Sequence, residues 1–349
     1  SDDTIILRDE LTDVNYDVHP KLVINAAGPW IDFTNRKLGL SSRFIGGTKG
    51  SHILVRHAEL CSAIGENEFF FENEDGRMVY LFPLYEHVLI GTSDIPVEHP
   101  DEAYCTDEEI DYFLKLTRRI FPSLSVTREN IVFQFSGVRP LPRSAAKTVS
   151  PVSRSPSIEV LSGDWTNLRF PVYSLVGGRW ASFRALAEQV TDKALAYLGM
   201  TRQKDTRSLP IGGGRGYPRD PGEVRRHIES LSAWTGVARE QLKALFERYG
   251  TRAETIATYL NGGTDFLVKT LPDFTLREIV FLVQHEKICH LDDFLLRRSM
   301  LAKTGRVTRE MIAELAKVMG NALSWDEEQR MAEVQRTLSL LTDRHGVRL

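Results

Sequence analysis

Cysteine is scarce in this sequence of 349 residues: Cys61, Cys105 and Cys289 are the only three, far apart and without the spacing of a metal site. An odd, scattered set of thiols argues against a disulfide framework and fits a reducing compartment. Long hydrophobic runs are missing too. The apolar stretches are strand-sized, and no charge-free window is long enough to span a bilayer. The first residues lack the basic and apolar regions of a signal peptide. These absences predict a cytosolic chain and leave a peripheral membrane contact open. Neither sign of charge prevails, with 44 Lys and Arg against 47 Asp and Glu for a net charge of -3. Without a basic run, nothing calls for a nucleic-acid partner. Repeats of fixed period and low-complexity segments are also absent.

What is present is 42% hydrophobic residues, enough for the cores of two or more domains. Short apolar runs at 4–7, 21–25, 51–55, 78–83, 88–91 and 131–135 predict a strand-rich first half. A helix is expected after Gly28 and Pro29. Another is expected over 106–121, opened by a capping box between Thr106 and Glu109 and closed by Pro122. Near residue 200 the texture changes. A glycine- and proline-rich stretch at 209–218 leads into a half read as purely helical, with roughly six helices expected from its capping signals. Helix starts are expected at Asp220 with Pro221, at Thr275 and at Ser324.

Several residues invite a chemical reading, each with a plainer one beside it. The string VINAAGPW (23–30) puts small residues at the carboxyl end of a strand, where ligands of open α/β sheets bind; an ordinary strand-to-helix turn explains the same composition. Gly177 and Gly178 precede a helix, leaving N–H groups and the positive dipole end bare for a ligand, or else they serve tight packing. Arg139 at a strand end offers a fork suited to phosphate, although such arginines more often form surface ion pairs. His52 in a strand is suited to taking a hydroxyl proton, or is structural. His285 and His290 lie five apart and point in different directions on a helix, so no metal is expected there. The run 212–216 mimics a phosphate loop but lacks a preceding strand, and reads as a linker. Asp292, Asp293, Arg297 and Arg298 suit a helix dipole and i, i+4 pairing.

The same strings, in order, resemble a known family. VINAAGPW is similar to its "NAAGPW" or "NATGPW" element, KGSHIL (49–54) to "KGSHI", and NEDGRMVYLFP (73–83) with LIGTSD (89–94) to "NEDxRxVFxxPW…LIGTTD". FSGVRPL (135–141) is similar to "YSGVRPL", and SLVGGRWASFR (174–184) to "GGKxTTYR". On these five motifs the chain resembles the glycerol-3-phosphate dehydrogenase branch of the D-amino-acid-oxidase-like flavoproteins. LPIGG (209–213) and LDDFLLRR (291–298) resemble that family's C-terminal helical domain.

The resemblance implies an α+β fold. Residues 1–49 with 165–204 form the C-terminal part of an incomplete FAD/NAD(P)-binding, Rossmann-like domain, 50–164 a mixed-sheet substrate (cap) domain, and 205–349 an all-α C-terminal domain. It implies FAD as cofactor, bound by Ala26, Ala27, Gly28, Gly177, Gly178, Arg179 and Trp180. It also implies catalysis by His52 and Arg139, with Lys49, Arg139 and Arg179 on the substrate. The implied reaction is oxidation of sn-glycerol 3-phosphate to dihydroxyacetone phosphate, hydride passing to flavin and electrons to a quinone. A peripheral contact at the cytoplasmic face of the inner membrane and a homodimer remain open. Arg179 departs from the family's lysine, and Ala181 and Ser182 from its threonines. Another polyol phosphate, such as a tetritol phosphate, is therefore an alternative substrate, and a non-catalytic, partner-binding fragment is the alternative of a different class. No G-x-G-x-x-G follows a strand. The family's fingerprint lies at its N-terminus, so the chain is expected to lack that segment and to hold FAD weakly or not at all.

Overall fold

Period-2 patterning in the first half gives short strands closed by glycines and polar turns. The computed structural model describes residues 3–143, 155–163 and 168–349. By contacts it divides into one unit of residues 1–53, 57–128 and 135–208 and a second of 54–56, 129–134 and 209–349.

In the first unit, β1 (Ile5–Arg8) and β2 (Asn15–Val18) form an antiparallel hairpin. β3 (Val23–Asn25) leads through a 3-10 turn at Gly28–Trp30 into α1 (Ile31–Lys37). Then come β4 (Thr48–Val55), α2 (Ala58–Ile64), β5 (Phe69–Glu72), β6 (Met78–Leu84), β7 (His87–Gly91), β8 (Ile95–Pro96) and α3 (Asp107–Ile120). β9 (Ile131–Arg139), β10 (Ser157–Leu161), β11 (Val172–Val176) and α4 (Phe183–Tyr197) complete this half of the chain.

These strands make two principal sheets. One runs β5-β6-β7-β4-β8, with β9 also paired to β4. The other runs β10-β11-β3, in which β11 and β3 are parallel, Val172 opposite Val23 and Ser174 opposite Asn25. β11 is buried on both faces, as a strand covered from two sides must be: Val172 joins Leu40 and Phe170, while Tyr173 meets Val190 and Ala194 of α4. On α3, Thr106 and Glu109 close the expected capping box, and Ile110, Phe113 and Leu116 turn inward. All six predicted apolar runs overlap strands, although β1 starts only at Ile5 and β3 only at Val23; β4 begins earlier than expected, at Thr48, and β9 runs on to Arg139. Both extensions matter below.

The second unit holds α5 (Pro221–Thr235), α6 (Arg239–Tyr249), α7 (Ala253–Asn261), α8 (Leu276–His285), α9 (Arg309–Leu323) and α10 (Glu327–Ser339). Asp220 and Thr275 cap as expected, each accepting from the backbone N–H three residues on. Two expectations fail. The half is not wholly helical, because β12 (Leu267–Val268) and β13 (Leu271–Thr275) form a hairpin too short to register as periodicity. Ser324 caps no helix start: it ends α9 in the left-handed region, and Asp326 with Gln329 caps α10. The glycine run at 212–216 is also more than a linker, since the Thr251 hydroxyl bonds the carbonyls of Gly213 and Arg215 at 2.9 and 2.8 Å. Among the described residues no helix is long and apolar enough to cross a membrane.

Candidate active site

The parallel pairing of β3 and β11 brings two glycine turns to neighbouring strand ends. Gly28 lies three residues past Asn25, and Gly177 three past Ser174, which are paired. Gly28 has φ +58 and nothing within 4 Å of a would-be Cβ; Gly177 and Gly178 have φ +77 and +105. Only glycine adopts such backbone cheaply, and open space at Gly28 leaves its backbone approachable.

A buried amide network holds these ends in register. Asn25 Nδ2 donates to the Ile31 carbonyl at 3.0 Å and to Asn35 Oδ1 at 2.7 Å, and its Oδ1 accepts from the Ala27 N–H at 3.2 Å. Asn35 Nδ2 in turn reaches Ser174 Oγ at 3.1 Å. Asn25, Asn35 and Ser174 thus tie β3, α1 and β11 together.

The second half of the site lies on one face of β4. By strand alternation Gly50 and His52 share a face, and Lys49 and Ser51 take the other. Arg139, at the end of β9, lies against Gly50 so closely that a Cβ there would sit 2.7 Å from its Cζ. Three consecutive residues hold the guanidinium: it donates to Thr92 Oγ1 at 2.9 Å and to the Ser93 carbonyl and Asp94 Oδ1 at 3.3 Å. His52 stacks on Phe135, ring centroids 4.8 Å apart, and its Nε2 is hydrogen-bonded to the Tyr80 hydroxyl. Gly91 makes room for it, since a Cβ there would lie 2.9 Å from Nε2. Pro142, three residues past Arg139, packs on Gly177, 3.4 Å from its would-be Cβ. Arg139 and the strand-end glycines therefore belong to one neighbourhood.

Burial, then the nearby positive charge of Arg139, pushes the His52 imidazole down to about 4, against an opposing pull from Glu109. Burial also raises the Tyr80 hydroxyl, against Arg139. His52 is consequently neutral at physiological pH, with a lone pair available as a base. The unfolded chain binds this proton near 6.5 and the folded one near 4, so stability is full above about 6.5 and falls as pH drops toward about 4. Replacing His52 with Phe should therefore remove up to about 3 kcal/mol of acid-induced destabilisation across that window, read from urea unfolding at a series of pH values.

Not every expected residue joins this face. Lys49 is buried on the opposite side of β4, donating to Glu109 Oε2 and the Tyr104 carbonyl, each at 2.7 Å. A buried lysine needs a partner, and α3 supplies it. Arg179 and Trp180 follow the glycines but are exposed, Trp180 to 93%; Ala26 is exposed and Ala27 half-buried. Sequence reasoning missed Gly50, Gly91, Tyr80, Thr92 and Asp94. Tyr80 stands where the family string has phenylalanine, which was the one available signal. Gly50→Ala is expected to push the Arg139 guanidinium off Thr92 and Asp94 and to cost about 1–3 kcal/mol of stability, read by urea unfolding.

Two family models match consecutive stretches: "FAD dependent oxidoreductase" over residues 4–169 and "C-terminal domain of alpha-glycerophosphate oxidase" over 204–330. The glycerol-3-phosphate dehydrogenase of Synechocystis is 29% identical over 94% of this chain and 60% of its own length. The aerobic glycerol-3-phosphate dehydrogenase of Bacillus subtilis is 27% identical over 97% of this chain and 61% of its own. The chain thus spans about three fifths of these relatives. The structure of the glycerol-3-phosphate dehydrogenase from Bacillus halodurans complexed with FAD matches with a TM-score of 0.79 at 23% identity, over 97% of this chain and 65% of that one. This likeness shows the same fold, α/β sheets followed by a helical domain. Over these two consecutive stretches the chain is similar to FAD-dependent oxidoreductases and to the C-terminal domain of α-glycerophosphate oxidase.

Proposed function

We propose that the protein oxidises sn-glycerol 3-phosphate to dihydroxyacetone phosphate with FAD, and that electrons leave to a quinone at a membrane surface. The observation that carries this reading is the neutral His52 beside a fixed Arg139 on one face of β4, next to the glycine ends of β3 and β11. Gly28 would hold the cofactor, since nothing lies within 4 Å of its missing side chain, and Gly177 and Gly178 would offer backbone N–H groups at the start of α4. Bound flavin supplies the two-electron acceptor for the hydride from the secondary carbon. Arg139 binds the substrate's phosphate, its fork suited to paired oxygens and its position set by Thr92 and Asp94. His52 takes the hydroxyl proton at Nε2, directly or through the Tyr80 hydroxyl that it already holds. The names of the relatives support glycerol 3-phosphate over a four-carbon polyol phosphate or a non-catalytic module.

The test is dye-linked oxidation of glycerol 3-phosphate against a panel of polyol phosphates by the flavin-loaded protein. A kcat/KM preference for glycerol 3-phosphate of about tenfold or more supports the assignment, and a preference for a tetritol phosphate overturns it. Tyr80→Phe, which restores the family's residue, should cost less than about tenfold in kcat because the imidazole keeps its place on Phe135. A larger loss would make the tyrosine hydroxyl an obligatory proton carrier.

A further inference from the structure

The segment that holds Arg139 is itself held, and by one side chain. Thr92, Ser93 and Asp94 join β7 to β8 within the first unit. The Thr92 hydroxyl, the Ser93 carbonyl and Asp94 Oδ1 all accept from the guanidinium, and the Thr92 hydroxyl also donates to the Ser93 carbonyl at 3.1 Å. Thr92 and Asp94 are half-buried, but the side chain of Ser93 is turned the other way and fully buried. There its hydroxyl donates to Glu109 Oε1 of α3 at 2.5 Å and accepts from the Ser51 N–H of β4 at 2.8 Å. Glu109 is fixed independently of Ser93: its other oxygen, Oε2, accepts from Lys49 Nζ at 2.7 Å and from the Thr106 N–H at 2.9 Å. A rigid helix thus reaches the guanidinium through one hydroxyl and the carbonyl of the same residue.

We propose that Ser93 is a positioning residue for substrate binding: its hydroxyl, anchored on Glu109, sets the carbonyl that aims the Arg139 fork at the substrate's phosphate. The inference rests on the assignment of phosphate to Arg139 under the proposed function and adds the group that sets its direction. Direction matters because a guanidinium gains its second parallel bond to paired oxygens only when its plane is aligned with them. A connection between strands does not hold such an alignment unaided. A buried hydroxyl bonded to a carboxylate does, since charge-assisted bonds are short and, away from water, strong. Lys49 and Ser93 use different oxygens of Glu109, so losing Lys49 weakens the cluster and leaves the Ser93 bond in place.

Steady-state, dye-linked oxidation of glycerol 3-phosphate by the flavin-loaded protein tests it, with wild type, Ser93→Ala, Ser93→Thr, Lys49→Met and Arg139→Ala compared, and melting curves showing that each is folded. Ser93→Ala should raise KM about tenfold and change kcat less than about threefold, because the base His52 is untouched. Ser93→Thr keeps the hydroxyl and should stay within about threefold of wild type in both constants. Lys49→Met should also keep KM within about threefold although it melts earlier, which separates aim from stability. If Ser93→Ala does not fold, Ser93→Cys, whose thiol is a weak donor, carries the test with KM raised about threefold or more. Wild-type KM in folded Ser93→Ala or Ser93→Cys, beside a large rise in Arg139→Ala, would overturn this role and leave the proposed function standing. Ser93→Thr as impaired as Ser93→Ala would overturn it too, since packing and not the hydroxyl would then matter. An unchanged KM in Arg139→Ala, or no oxidation by wild type, would remove the proposed function and this inference with it.

Discussion

His52→Gln should lower kcat for glycerol 3-phosphate oxidation by about 10²–10⁴-fold in the flavin-loaded protein, the range over which a positioned acid–base group acts. The reason is local. Burial and Arg139 hold the imidazole down to about 4, so it is a neutral acceptor throughout the range in which cells operate. Glutamine keeps a polar group near Tyr80 but cannot take a proton. KM should change far less than kcat, because in this account phosphate binding belongs to Arg139. The pH profile gives a second signature. Activity of the wild-type protein should not fall on acidification until the pH approaches about 4, well below the point at which an ordinary histidine would lose it. A profile that falls near 6.5 would mean that the base titrates as an exposed group, and the burial argument would fail.

Lys49→Met should unfold the protein more easily without touching substrate affinity. The ammonium and the Glu109 carboxylate are 2.7 Å apart, with 9% and 4% of their side chains exposed. Burial alone would push Glu109 up, but hydrogen bonds from Lys49, Ser93 and the Thr106 N–H hold it below the ordinary carboxylate range. Removing the lysine leaves that charge buried and uncompensated, a loss of about 3–5 kcal/mol, or on the order of 10 °C in melting temperature. The stability that Glu109 adds is present above its ordinary value and is lost as pH falls through its lowered one, so the deficit of the variant should shrink in acid. The KM of the folded fraction should rise by less than about threefold, whereas loss of a direct phosphate contact would raise it by about tenfold or more. Calorimetric melting and steady-state kinetics on the same preparation separate the two readings.

Lys49 illustrates what was legible in the sequence and what was not. The strings carrying Gly28, His52, Arg139 and Gly177 could be read because they are contiguous, and each follows a strand whose alternation is visible. The capping box at Thr106 was readable for the same reason: both partners lie within one turn. Which face of β4 points where depends on α3 packing over Lys49 and on Arg139 crossing Gly50, contacts that span 60 residues or more. A strand's period of 2 says that Lys49 and His52 lie on opposite faces but not which face holds the substrate. Asn25 looked like one letter of a motif; its task of holding Ala27, Ile31 and Asn35 appears only once α1 is folded back onto β3. The β12 and β13 hairpin was invisible because its first strand has two residues, fewer than any periodicity can register. Arg179 and Trp180 entered through likeness alone, and exposure separates them from the buried groups of the site.

The most direct measurement of the central claim is anaerobic mixing of the flavin-loaded protein with glycerol 3-phosphate while following the flavin band at about 450 nm. The wild-type protein should bleach within a turnover. His52→Gln should bleach at least about 10²-fold more slowly at saturating substrate, and Arg139→Ala should need far higher substrate to bleach at all. Bleaching at wild-type rate and concentration in both variants would show that the β4 face is not where the chemistry happens.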